Sequence, residues 1–165
     1  MEHTNIDFTA IVNPASGPGT PLYPSKLYAE AITKLNAYSN VRTVGYVDTR
    51  RGQRNTKTVV EEVKTYTTWS QNPGLALRRV FFDQTPLFGS NGKRAYLKNI
   101  TAPVKHSHSF TGTDLAIYNT GSIPRRALDT SYVDSTIVLE GAYTDVPTQK
   151  DLKQQLSAMP GRREN

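Results

Sequence analysis

The sequence predicts an α/β fold with parallel strands, and three observations carry that prediction. Five apolar runs are short and nearly continuous, a loop and then a helical pattern recur between them, and each run ends on a polar residue. Short runs rich in β-branched or aromatic residues mark strands buried on both faces, as in a parallel sheet. In parallel α/β folds, binding and catalytic groups sit just beyond the carboxyl ends of the strands.

The first run is Phe8–Val12, ending on Asn13, and residues 14–21 form a Pro/Gly-rich loop that disfavours regular structure. Ser25 is a cap for a helix carrying Leu27, Ala31, Ile32 and Leu35 at helical spacing. The second run, residues 41–45, precedes Tyr46 and Asp48. Residues 49–55 then lead to a helix holding Val59, Val60, Val63, Tyr66 and Trp69, with Thr56 or Thr58 as its cap. The third run, residues 80–82, ends on Asp83, and a helix over residues 94–99 follows, which Pro103 is expected to stop. The fourth, residues 115–118, ends on Asn119. The fifth, residues 136–139, ends on Glu140, with a polar helix over residues 148–159. An open doubly wound sheet and a barrel both fit this alternation.

A chain of 165 residues predicts a single domain, 1–165, that buries roughly two-thirds of its unfolded surface. With no cysteine, disulfides and Cys-based zinc sites are excluded. No apolar stretch approaches the ~20 residues that cross a bilayer. Met1-Glu2-His3-Thr4-Asn5 has neither a basic start nor an apolar core, so no signal peptide is expected. The net charge of +6 resides in small groups: Arg50-Arg51 with Arg54, Arg78-Arg79, Arg125-Arg126 and Arg162-Arg163. Aromatic residues do not interleave with them, so they read as solvated loops and surface, with no nucleic-acid partner. His106-Ser107-His108 has metal-like spacing but no further nearby ligands, so no metal is expected. Neither a P-loop nor a Gly-x-Ser-x-Gly elbow occurs, and no cofactor is implied. Asn99-Ile100-Thr101 is a glycosylation sequon, and Trp69 reads as core.

Two carboxylates, two carboxamides and a tyrosine gathered on one rim have the makeup of a carbohydrate site. Glycoside cleavage uses one carboxyl group to protonate the leaving oxygen and a second as base or nucleophile. Glu140 is the expected acid, because the apolar run before it would raise its pKa, and Asp83 the base or nucleophile; the reverse assignment stays open. Each carboxylate is also suited to capping the next helix. Asn119 and Asn13 suit sugar hydroxyls or an acetamido group, since a carboxamide both donates and accepts, although Asn13 before Pro14 also suits a turn. Tyr46 suits either a substrate contact or the holding of a carboxylate. Asp48 and Gln84 are second-rank binding candidates.

Three segments carry a family resemblance. Residues 11–19, Ile-Val-Asn-Pro-Ala-Ser-Gly-Pro-Gly, resemble the "VNPxSGPG" loop of the spherulin 4 (spherulation-specific family 4) proteins. Residues 40–49 with Gly52 and Arg54 resemble that family's "NVRTLGYVxTxxGxR" segment, and Val80-Phe81-Phe82-Asp83 its "IFFDE" strand. Weaker matches follow at residues 118–124 ("NPGTxP") and 138–143 ("FExxY"), so the resemblance covers about residues 7–143.

The resemblance implies a (β/α)8 barrel whose members hydrolyse galactosamine-containing fungal polysaccharide and are secreted or held at the cell surface. It implies Asp83, Asn119 and Glu140 as cleft residues. A barrel of this kind has ~250 residues, so about five βα units are expected here, with the first strand and the last two missing. Gln84 stands where the family usually has a second acid, Thr120 where it has proline, and Arg79 where it tends to have a small residue. These departures leave two alternatives beside the hydrolase: a non-catalytic carbohydrate-binding or cell-surface protein, and an inactive fragment. A partly deacetylated galactosamine polymer is cationic, and a +6 protein repels it at long range.

Overall fold

The computed structural model describes residues 5–87, 89–107, 110, 115–123 and 133–157. Five strands, β1 (Phe8–Val12), β2 (Val41–Asp48), β3 (Arg79–Asp83), β4 (Leu115–Asn119) and β5 (Ser135–Ile137), form one sheet. Its order is β1-β2-β3-β4-β5 and every pairing is parallel. A doubly wound sheet reverses direction at a switch point. This sheet does not, and each strand lies beside its predecessor as in a barrel wall. The sheet is not closed: β1 pairs with β2 and β5 with β4 at its two ends.

Helices α1 (Lys26–Asn36), α2 (Thr56–Trp69) and α3 (Asn91–Lys105) pack against one face, while α4 (Gln149–Ser157) has no buried residue. Strand side chains alternate between faces. Val12, Val47, Val80, Phe82, Ala116 and Tyr118 therefore meet the helices, in one core with Ile32, Val63, Trp69, Leu97 and Ile100. The opposite face carries a smaller cluster, Val44, Phe81 and Ile117, flanked by the half-buried Tyr46 and Ile137. Two residues further along the same faces stand Asp83 and Asn119, and Asp48 follows Tyr46 in the same way. The period of two thus puts the polar strand ends on the face away from the helices. Trp69 is fully buried in the helix-side core, with its indole N–H on the Leu22 carbonyl at 2.8 Å.

The sequence places most elements, and several boundaries move. Ser25 caps α1 as expected, but Asn55, not Thr56 or Thr58, caps α2 by accepting from the Lys57 N–H at 2.8 Å. β2 continues through Tyr46 to Asp48, so both residues belong to the strand. β5 stops at Ile137, three residues before Glu140. α3 begins at Asn91, capped by Ser90, and runs past Pro103 to Lys105. Proline removes one N–H and is costly in a helix interior. Here Pro103 lies in the last turn, and the buried Leu97, Ile100 and Val104 hold the helix beyond it. Among the described residues no helix is long and apolar enough to cross a membrane. Residues 124–132 and 158–165, with Arg125-Arg126, Met159 and Arg162-Arg163, lie outside the described residues, as does His108.

Candidate functional site

Asp83 closes β3 on the face that carries Phe81. One of its oxygens, Oδ2, accepts from the Tyr46 hydroxyl at 2.6 Å, and the other, Oδ1, accepts from Asn119 Nδ2 at 2.8 Å. The same Nδ2 donates to Glu140 Oε2 at 3.1 Å, so one amide group bridges the two carboxylates. Asn119 Oδ1 accepts the Gly121 N–H at 2.9 Å, which fixes the amide with its nitrogen toward the acids. Asn119 is only 6% exposed, so this donor is a built feature and not a mobile surface group. Tyr46 stacks on Phe81 with ring centroids 6.0 Å apart.

The loops behind these groups are sewn together. Thr85 bonds the Asn119 carbonyl through both its N–H, at 2.8 Å, and its hydroxyl, at 2.9 Å. The Thr120 hydroxyl bonds the Ile137 carbonyl at 3.0 Å, and the Glu140 N–H reaches the Gly121 carbonyl at 3.2 Å. Glu140 is solvent-exposed on this open sheet, so the apolar run before it does not enclose it as the sequence suggested.

The remaining candidates are placed differently. Asp48 lies opposite Asp83 in the β2/β3 register, but Arg50 occupies it, with its N–H at 2.8 Å and its Nε at 3.4 Å. Gln84 has a left-handed backbone, φ +47°, and its carbonyl accepts from the Thr49 hydroxyl at 2.7 Å and the Arg51 N–H at 2.6 Å. Asn13 turns its Oδ1 onto the Gly17 N–H at 3.1 Å and so organises its own loop. Four of the seven sequence candidates, Tyr46, Asp83, Asn119 and Glu140, thus form one hydrogen-bonded group, and the other three serve the loops around it. Among the described residues no cluster has the makeup of a metal site.

Arg54 is the residue that sequence reasoning misplaced. Grouped with Arg50 and Arg51 as solvated charge, it is instead half-buried, forked onto Glu62 at 2.8 and 2.5 Å, and bonded to the Asp48 carbonyl at 2.8 Å. The hydrogen bond to Glu62 raises the Arg54 pKa. Glu62 also lies close against the Gly-rich loop after β1, where a Cβ at Gly17 would stand 3.1 Å from its carboxylate. No periodicity links a loop arginine to a helix glutamate eight residues later. We predict that Glu62→Gln lowers unfolding free energy by about 2 kcal/mol, the scale of a lost charge-assisted hydrogen bond. Urea titration would read it, and an unchanged midpoint would contradict the supporting role.

Three phenols sit in environments that favour the protonated form. Burial, then the hydrogen bond and charge of Asp83, raise the pKa of Tyr46 well above the ordinary 10.0. Burial also raises Tyr66, and pushes Tyr96 up to about 12. The folded state thus keeps protons that the unfolded chain releases above about pH 10. Stability from these groups is complete below that pH and declines as pH rises through and beyond it. Denaturant midpoints should fall as pH rises above ~10, and less steeply in Tyr66→Phe. A flat profile would contradict this.

The chain matches the family model for spherulation-specific family 4 across residues 1–164. It is also similar to the crystal structure of Aspergillus clavatus Sph3 in complex with GalNAc, with 34% sequence identity and a TM-score of 0.84. The match covers 97% of this chain and 64% of that one, so the chain spans less than two-thirds of the length of the solved relative. No curated protein matches the chain.

Proposed function

This chain belongs to spherulation-specific family 4, and from that premise we propose that its rim is a glycoside hydrolase site for polysaccharide containing galactosamine or N-acetylgalactosamine. The observation that carries the proposal is the Asn119 amide donating to Asp83 and Glu140 together. Two carboxylate oxygens that share one nitrogen lie within two hydrogen bonds placed end to end. That separation is nearer the ~5–5.5 Å of retaining enzymes than the ~6.5–9.5 Å that leaves room for an attacking water.

In this reading Asp83 attacks the anomeric carbon while Glu140 protonates the departing glycosidic oxygen. Water, deprotonated by Glu140, then attacks the glycosyl–Asp83 ester and releases Asp83. Two donors aim the Asp83 carboxylate, which suits a nucleophile; Glu140 has one side-chain donor and an open approach, which suits proton transfer. Asn119 and Tyr46 orient these groups through their hydrogen bonds to the carboxylates. The GalNAc bound by the solved relative supports the choice of sugar, and the family membership supports an extracellular or cell-wall polymer as the target.

Binding without turnover is the second reading, favoured by Gln84, an amide where the family segment carries a second acid. Calorimetric titration with N-acetylgalactosamine oligomers, paired with an assay of new reducing ends, separates the two. Release that disappears in Glu140→Gln supports the hydrolase. Binding with no release supports the second reading.

A further inference from the structure

The sequence carries a single Asn-x-Ser/Thr sequon, Asn99-Ile100-Thr101, and the rim makes no use of it. We infer that Asn99 bears an N-linked glycan, attached before α3 docks on the sheet and projecting from the helix side of the fold. The inference rests on the extracellular reading above and adds to it a modification site on the other side of the sheet from the carboxylates.

Three observations carry it. The first is access. Asn99 is exposed in the middle of α3, and its side chain has no hydrogen-bond partner among the described residues. A helical side chain leans toward the N-terminus, over the residues three and four positions before it. For Asn99 those are Tyr96 and Ala95, with Gly92 beyond them, where an added Cβ would meet nothing within 4 Å. Together with Thr56 at the start of α2, these residues line an open cavity of about 400 Å³. A sugar on the Asn99 amide therefore has room on the side toward which the side chain leans.

The second observation is the state of the hydroxyl. A sequon is defined by the hydroxyl two residues after its asparagine. In the folded chain that group is sealed: Thr101 is fully buried and donates to the Leu97 carbonyl at 2.7 Å. Ile100 between them is fully buried as well. No transferase reaches Thr101 without unwinding α3, so attachment precedes the docking of this helix. In that step the Asn99 amide nitrogen attacks the anomeric carbon of an oligosaccharide held on a lipid pyrophosphate. The C–N bond forms as the bond from that carbon to the pyrophosphate oxygen breaks, and the amide gives up one proton.

The third observation is tolerance. α3 packs on the helix-bearing face of the sheet through Leu97, Ile100 and Val104, and Asn99 is not among its buried residues. Asp83 and Asn119 meet Glu140 on the opposite face. A glycan at Asn99 thus leaves both the core and the rim as they are.

The test directs the full chain into the secretory route of yeast and recovers it from lumen and medium. Wild type should show a mobility shift that peptide N-glycosidase removes, leaving an acid in place of the Asn99 amide for peptide mass spectrometry to read. The shift should be lost in Asn99→Gln, which alters only an exposed side chain. It should also be lost in Thr101→Val, which keeps the shape of a buried one, and kept in Thr101→Ser. A shift that survives in Asn99→Gln or in Thr101→Val overturns the proposal. An unmodified wild-type chain also overturns it, and export of that chain leaves the extracellular reading standing. A chain modified at Asn99 but never exported supports the acceptor site and counts against the extracellular reading instead. Folded, unmodified chain supplied to opened luminal membranes should gain no glycan, and gain at Asn99 would overturn the stated order.

Discussion

Asp83→Asn should lower the release of reducing ends from an N-acetylgalactosamine polymer by at least about a thousandfold, while glycan binding changes severalfold at most. The expectation follows from how Asp83 is held. Its two oxygens accept from Tyr46 at 2.6 Å and Asn119 at 2.8 Å, which hold the carboxylate on the face of the sheet away from the helices. Preorganised groups of this kind need no reorganisation at the moment of reaction. An asparagine preserves the volume but cannot form the glycosyl ester, and one of its atoms becomes a donor facing a donor. In the proposed double displacement, the substitution therefore removes the nucleophile. Tyr46→Phe should cost less, about ten- to a hundredfold, because Asn119 still aims one oxygen. Proton NMR of the first product provides the companion measurement: retained anomeric configuration fits the shared-amide geometry. Inversion would sink the assignment of Asp83 as nucleophile, even with hydrolysis confirmed.

Gly45→Ala should destabilise the fold by about 3 kcal/mol, at the upper end of overpacking costs. A Cβ at Gly45 would stand 2.7 Å from two carbons of the Tyr66 ring, closer than non-bonded carbons approach. The ring has nowhere to go. Tyr66 is fully buried, meets Trp69 edge-on at 4.8 Å, and its hydroxyl lies 2.9 Å from the Tyr46 carbonyl and 3.3 Å from that of Val12. Relief must come from β2 itself, which would tilt Tyr46 away from Asp83. Urea unfolding followed by the fluorescence of Trp69, the only tryptophan, reads the loss directly. In a Tyr66→Leu background the same substitution should cost less than 1 kcal/mol, since the two residues couple through contact. A loss below 0.5 kcal/mol in the wild-type background would show that the strand gives way freely.

Much of the architecture was legible because burial leaves a periodic trace. Five apolar runs mapped onto five strands, and the helical face of α2 matched the core it enters, down to Trp69, whereas of the face expected on α1 only Ile32 is buried and Leu27 is 79% exposed. Residues ending those runs fell on the strand rim because the chain direction of parallel strands fixes where all their carboxyl ends lie. What leaves no such trace was misread. Arg54 is five residues from Thr49 in sequence, but its role depends on a helix glutamate packed beneath it. The α2 cap passed to Asn55 because capping depends on backbone geometry at one residue, and α3 outlasted Pro103 because tertiary burial outweighed local preference.

The sequence alone determined the strand–helix alternation, the polar rim and, through three segments, the family. Tertiary structure decided the rest. Alternation is equally consistent with a sheet that reverses and one that does not, and only the pairing order β1 to β5 distinguishes them. Composition could nominate seven polar residues, but which of them meet depends on strand register and on which face each side chain takes. A hydrogen bond acts over about 3 Å, and residues 36 positions apart, such as Asp83 and Asn119, are brought within that distance only by the packed sheet.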